Sequence, residues 1–386
     1  MSNQRILTTL FRPRALLPGL VLFAAAWALI GAGSAAADSN VNVMTQNVYQ
    51  GTEFRHITEL KEGTTFAQAL VATSADYATY EATRFKDRAK QIAAEIAKDG
   101  PVLVGLQEIA TWHKGAFNPL KPFALPEEVS EDFTKLLVEA RAADGAHYQA
   151  VSATTREGGN FTLAFPIFVP GTFPPTCCIA VGMVESGVIL ARTDLPAEKF
   201  SVSNAQSGTY AAKIELTNPL TGEKIPFTNS WQSIDATVPG KTFTFLTTHL
   251  DALDPSGTVR SIQAQELLKA PPMNTSLPVV VTGDMNSGPK TLPAAYNTLV
   301  AGGLSDTWTA AGQGAPPLTC CHLAFNDLVN DPNATYTDDL DHVFTRGSLK
   351  AKGDHLVGNT VPNPEPKPFI WPSDHAGMVA TLATGN

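Results

Sequence analysis

Across residues 277–289, LPVVVTGDMNSGP, a run of valines stops at Gly283 and is followed by a carboxylate and an amide two residues apart, Asp284 and Asn286. Side chains two apart on a strand share a face, so this pair is expected to present oxygen-bearing groups together at one strand end. Asp, Asn, Ser, Gly and Pro also end strands in ordinary turns, because their backbones and side chains suit turn geometry. The other strand-like runs distinguish this one. Asn47 follows VNVMTQ, Glu108 follows PVLVGLQ and His249 follows KTFTFLTT, while Asp341 precedes HVFT, and Asp374 with His375 precedes AGMVATL. One such residue is usually a hydrogen-bonded structural group; the repetition points to a site assembled from strand ends. Carboxylates and an amide without thiolates suit a hard divalent ion, magnesium first and manganese or calcium as alternatives, over zinc. Two histidines add acid–base chemistry, or a hold on developing charge, near neutral pH. Together these groups suit attack of water on phosphorus, with the ion neutralising phosphate oxygens and a fixed base orienting the water.

The elements that must position these groups are visible as short β-branched runs near residues 41, 101, 186, 241, 277, 340 and 375. Between them a period near 3.6 predicts helices over residues 83–98, 130–143 and 259–269. Strands interleaved with helices predict packed sheets flanked by helices. On the strand containing LDHVF, Asp341 and His342 face opposite sides, so one of them enters the site, and Asp341 is assigned to it. Residues 161–175, FTLAFPIFVPGTFPP, are rich in phenylalanine and proline. Buried packing is the expectation, and the alternative is an apolar loop whose Phe161, Phe165, Phe168 and Phe173 touch a membrane surface or a substrate.

Arg5, Arg12 and Arg14 precede the apolar run ALLPGLVLFAAAWALIGAG and the small residues Ala35, Ala36 and Ala37, the pattern of a secretory leader cleaved after Ala37. The rival is an uncleaved anchor, for which the run is short and interrupted by Pro18 and Gly19. A signal peptide over residues 1–37 and one domain over 38–386 are therefore expected, with a secreted product, extracellular or periplasmic. Loss of the leader takes 27 basic residues to 24 against 36 acids and the formal charge from −9 to −12. Such a surface disfavours nonspecific nucleic-acid binding through a broad basic patch. The cysteines form two doublets, Cys177-Cys178 and Cys320-Cys321; structural disulfides are expected, either between the doublets or within each. Neither doublet has the C-x-x-C spacing that suits zinc.

In chain order, TQNV, GLQE, TTHL, GDMN, LDHVF and PSDH resemble the motifs of the endonuclease/exonuclease/phosphatase superfamily, which includes DNase I-like nucleases, abasic-site endonucleases, sphingomyelinases and inositol phosphatases. The resemblance spans roughly residues 41 to 382. It implies a DNase I-like, α/β (α+β) four-layer sandwich: two mixed sheets packed face to face, helices outside, the site at one edge. It also implies roles. Glu108 would be the principal metal ligand, assisted by Asn47 and Asp374. Asp284 would orient or deprotonate the attacking water, or hold a second ion, and Asn286 would hold the phosphate. His375, oriented by Asp341, would bind the scissile phosphate, and His249 would be a second phosphate ligand or the general acid. The segment TNSWQSIDA lacks the arginines that nuclease members place near the phosphate, whereas TTHLDA is similar to the sphingomyelinase-like branch. The implied activity is metal-dependent hydrolysis of a phosphodiester, in nucleic acid or at a phospholipid head group. The alternatives are a phosphomonoesterase for a small molecule and an inactive binding protein, although none of the eight polar positions is missing.

Overall fold

A computed structural model of the chain describes residues 40–140, 147–153, 161–322, 328–329, 331–361 and 369–385. All belong to one unit, Asp38–Asn386, and the expected leader and its cleavage site lie outside the described residues. The apolar runs form strands. β1 (Asn40–Asn47) lies between β2 (Leu103–Ala116), to which it is parallel, and β16 (Gly377–Ala383), to which it is antiparallel. β6 (Cys177–Arg192) continues this sheet beyond β2 and pairs with β4 (Tyr148–Ala153) and β5 (Phe161–Phe168). β3 (Val129–Asp132) and β15 (Lys350–Val357) complete its eight strands. A six-stranded sheet runs β13 (Ser305–Asp306), β14 (Asp341–Arg346), β12 (Val279–Asp284), β11 (Lys241–His249), β10 (Ser230–Val238) and β7 (Ser201–Thr209). β8 (Ile214–Thr217) and β9 (Lys224–Phe227) form a separate hairpin.

Burial explains why these runs are apolar on both faces. Val43, Leu103, Ile189, Phe243, Phe245, Val280 and Val343 fill the space between the sheets. Tyr77 of α2 (Phe66–Ala82), with Phe85 and Ile92 of α3 (Phe85–Asp99), packs on the outer face of the first sheet around Leu106 and Trp112. Leu267 of α5 (Thr258–Lys269) and Leu299 of α6 (Ala294–Ala301) cover Leu246, Val279 and Val281 on the second. The result is the expected four-layer sandwich. Its inter-sheet core turns polar at Gln107, whose Nε2 donates to Thr247 Oγ1 at 2.8 Å and whose Oε1 accepts from Thr45 Oγ1 at 3.3 Å. Gly105 lies there because any Cβ would strike the hydroxyls of Thr247 and Thr282.

Several local expectations change. α2 carries no clean apolar period, because its buried face is built from Ala69, Ala72, Thr73 and Asp76 as well as Leu70 and Tyr77; its start is marked by a Thr65–Gln68 capping box. The helix expected over residues 130–143 is β3 followed by α4 (Phe133–Glu139), capped by the Asp132 side chain, and residues 141–146 lie outside the described ones. The membrane contact assigned to the phenylalanine-rich segment is corrected for Phe161 and Phe165. Four apart on β5, they face inward and are buried against Phe54; Phe168 is half-buried, and Phe173 alone of the four is exposed, at 98%. Each cysteine pairs with its neighbour, Cys177 with Cys178 and Cys320 with Cys321, so no staple joins residue 177 to residue 320. The doublets sit on different parts of the fold, one opening β6 beside Phe168 and the other bridging Asp338.

Candidate active site

Strand register gathers the first three groups. His249 is paired with Asp284 in the parallel β11–β12 ladder, and Asp284 with Asp341 in the antiparallel β12–β14 ladder. Asp284 is the hub. Its Oδ2 lies 3.6 Å from His249 Nε2 and 3.7 Å from His375 Nε2, while Oδ1 accepts the Asn286 N–H at 2.8 Å. Each imidazole is backed by a carboxylate on its other nitrogen: His375 Nδ1 lies 2.8 Å from Asp341 Oδ2, and His249 Nδ1 lies 3.6 Å from Glu185 Oε1. His342, on the opposite face of β14 as expected, pairs instead with Asp306 at 2.9 Å.

The other sheet supplies the remaining acids. Asn47, the last residue of β1, donates its Nδ2 to Glu108 Oε1 at 2.9 Å and to Asp284 Oδ2 at 3.0 Å, while its Oδ1 accepts the Tyr49 N–H at 3.0 Å. Glu108 Oε2 accepts the Gln50 N–H at 2.9 Å. Glu108 has φ 56° where the β2–β6 register shifts between Leu106 and Ile109; a bulge of this kind re-aims a side chain out of its strand alternation. The Ser373 hydroxyl donates to the Asn47 carbonyl at 2.7 Å and so moors the loop carrying Asp374 to the end of β1. Asn286 arrives differently from the strand-face expectation. β12 ends at Asp284, and Asn286 (φ 46°) closes a turn, its Nδ2 donating to the Leu250 carbonyl at 2.9 Å.

Charge is unbalanced in this buried cluster. Burial pushes the Glu108 carboxyl up; the His249 charge opposes this and the Glu185 charge adds to it. Burial is also the main cause that pushes Asp374 up to about 7, with His375 opposing and Glu108 and Glu53 adding. Asp341 is raised by burial against the pull of His375. Burial alone would lower His249, but the Glu185 carboxylate beside it, with the charges of Asp284 and Glu108, raises it to about 9. His375, pulled down by burial, is lifted well above the ordinary imidazole value by Asp341, Asp374 and Asp284. Both imidazoles are thus held toward the charged form by the carboxylates around them. Asp341 Oδ1 is buried with no hydrogen-bond partner among the described residues, and Asp284, Asp341 and His375 bring ligand-type atoms within 4.8 Å of one another. The carboxylate oxygens of Glu108, Asp284, Asp341 and Asp374 are the donor type that fits a hard divalent cation.

Two residues escape the sequence reading. Glu185 interrupts the strand GMVESGVIL rather than ending it, and its sign was an acid inside a largely apolar run. Arg88 looks like one more charge on an amphipathic helix. It is fully buried, donating to the carbonyls of Thr83 (2.9 Å), Val48 (2.5 Å), Tyr49 (3.0 Å) and Pro372 (3.2 Å). Arg260 is buried too and donates to the Asn286 carbonyl and, at 2.9 Å, to that of Asp254. Of the remaining histidines, His322 packs against Trp371 and Tyr336 with ring centroids 4.4 and 4.7 Å away, and His56 and His355 pair with Asp76 and Asp99.

Comparison with known proteins agrees with this fold. The Endonuclease/Exonuclease/phosphatase family matches residues 44–375. No curated protein matches. Among solved structures, a mannosyl-6-phosphatase of Bacteroides thetaiotaomicron is similar at 18% identity and TM-score 0.50, covering 89% of this chain and 99% of that one. D. rerio TDP2 with a single strand DNA product is similar at 14% identity and TM-score 0.50, covering 89% of this chain and 99% of that one. At such identities the likeness concerns the fold.

Proposed function

The chain belongs to the Endonuclease/Exonuclease/phosphatase family, whose members hydrolyse phosphate esters, and from that premise we propose that it is a secreted, divalent-metal-dependent phosphodiesterase using activated water. The observation that carries this reading is the placement of Asp284 between two imidazoles, each backed by a second carboxylate. Glu108 and Asp374, with Asn47 alongside, would hold magnesium, or manganese or calcium in its place, which would supply neutralisation of the phosphate charge. The chain's own groups do the rest. Asp284, fixed through Oδ1 by the Asn286 N–H, orients the water and takes its proton at Oδ2. His375, held as imidazolium by Asp341, binds a phosphate oxygen through Nε2. Asn286 uses one amide hydrogen on Leu250 and has the other for the phosphate. His249 donates from Nε2 to the leaving oxygen. The proton gained by Asp284 then has a route back to His249, 3.6 Å away.

The diester assignment draws on the TTHLDA string, and secretion on the leader-like first 37 residues. The test is a panel of bis(p-nitrophenyl) phosphate, p-nitrophenyl phosphate, plasmid DNA, RNA, sphingomyelin and phosphatidylcholine, each with magnesium and with chelator. Chelator-sensitive hydrolysis with a diester preferred is expected; no chelator-sensitive hydrolysis of any ester rejects the enzyme. N-terminal sequencing of exported protein should begin at Asp38.

A further inference from the structure

The candidate active site opens into a cavity of about 690 Å³, within the range of small-molecule pockets. One part of its wall is the site itself, Glu108, Glu185, His249 and Asp374. The rest comes mainly from the loop after β1, Ile57 and Thr58 at the end of α1 (Arg55–Thr58), α2, β5, the β8–β9 hairpin and the loop after β11. Their contribution is mainly apolar, including Phe54, Phe161, Leu163, Phe165, Phe227 and Leu253. Leu163 and Phe227 are only partly buried although they pack on the core, and Leu253 is 39% exposed, so apolar surface remains open to an occupant.

Ring geometry and charge narrow that occupant. A planar base or aryl group needs an open aromatic face to stack upon. Four of the six lining rings are turned against one another: Phe54 meets Phe161 at 69° and Phe165 at 80°, and Phe161 meets Phe227 at 45°; Tyr49 is buried, and Phe123 is half-buried. A polyanionic strand would need cations. Among the described lining residues the one lysine or arginine is Lys224, whose Nζ is engaged by Thr217 Oγ1 at 2.6 Å, against Glu53, Glu108, Glu185, Glu223 and Asp374. A flexible hydrocarbon chain satisfies both conditions, since it fills irregular apolar space and brings no charge beyond its single phosphate.

We propose that this cavity receives a hydrocarbon chain carried by the phosphoester substrate, which makes the substrate a lipid-type alkyl or acyl phosphoester rather than a nucleic acid. The proposal rests on the hydrolase reading above for the word substrate, and its test is separable from that reading. Titration calorimetry of the whole chain with methyl, butyl, hexyl and octyl phosphate, in magnesium, should give a Kd that falls roughly fourfold per methylene until the cavity is filled. Leu163→Trp, checked for folding by its melting temperature, should flatten that series, and an oligodeoxynucleotide should fail to displace octyl phosphate. A flat series in the wild-type chain, an undiminished slope in folded Leu163→Trp, or displacement by the oligodeoxynucleotide would each overturn the proposal. The wild-type series stands alone if Leu163→Trp does not fold. Turnover of bis(p-nitrophenyl) phosphate with a flat series keeps the hydrolase and rejects the chain site; a steep series without turnover of any ester keeps the chain site and rejects the hydrolase.

Discussion

The two imidazoles flanking Asp284 are not equivalent, and the difference assigns their work. The His375–Asp341 contact is 2.8 Å, a tight charge-assisted pair that retains its proton, whereas the His249–Glu185 contact is 3.6 Å, a looser pair better suited to giving one up. Asp341→Asn should therefore lower kcat by roughly 10²-fold or more, the range for losing an oriented acid–base or charge-holding group, without lowering the melting temperature in proportion. Paired steady-state kinetics and calorimetry check this, and a variant with wild-type kcat removes Asp341 from the mechanism. The His249 role carries a pH signature. A donor must be protonated, its pKa is raised to about 9, and activity is thus retained at neutral pH and lost as pH rises through about 9. Glu185→Gln removes the carboxylate that opposes burial, so the alkaline limb of the kcat profile should move to lower pH; a limb that stays in place would exclude His249 as the acid. At this scale the sequence was legible where a polar group stood at a strand end, as at Asn47 and Asp341; Glu108, expected at one, lies inside β2 and is turned into the site by a bulge. The sequence was opaque where the group lay inside a strand, as with Glu185, or reached the site by a turn rather than a strand face, as with Asn286.

At the scale of elements, the site depends on how strand ends are tied to the helices behind them. Arg88 of α3 binds carbonyls on both sides of the junction, Val48 and Tyr49 after Asn47, and Pro372 two residues before Asp374. Arg88→Met keeps much of the volume and leaves four buried carbonyls without their donor. Each orphaned group costs about 1–3 kcal/mol where water cannot replace the donor, so a loss of roughly 3–5 kcal/mol is expected after relaxation. Denaturant titration measures it, and a change under about 1 kcal/mol would mean that the carbonyls find other partners. The same junctions explain what the sequence told about elements. β1, β2, β11, β12, β14 and β16 were legible because both of their faces are covered, which demands continuous apolar runs. α2 and the β8–β9 hairpin were not. The first buries alanines and a carboxylate, and the second has strands of four residues. Both help wall the cavity, so the chemistry at phosphorus was far easier to infer than the group attached to it.

At the scale of the whole molecule, an acidic chain of net charge −9 gathers several carboxylates at one junction between its two sheets, and the proposed metal would tie stability to its binding there. Burial, with the neighbouring Glu185, pushes the Glu108 carboxyl up, so holding it ionised costs the metal-free fold, a cost that a bound cation would offset. A ligand that binds the native state alone stabilises it by mass action, about 2.7 kcal/mol at a hundred times its Kd. Magnesium should accordingly raise the melting temperature of the wild-type chain above its value in chelator, in a concentration-dependent manner. Glu108→Gln provides the discriminating comparison, because it removes one buried charge and one cation ligand together. In chelator the variant should melt at or above the wild type; in saturating magnesium it should melt below it, since the wild type alone gains the full binding energy. Crossing of the two orders, followed by scanning calorimetry, is the result that links Glu108 to the ion. If the variant melts below the wild type by the same margin in both conditions, Glu108 is a packing residue, and the cation is held elsewhere among Asp284, Asp341 and Asp374.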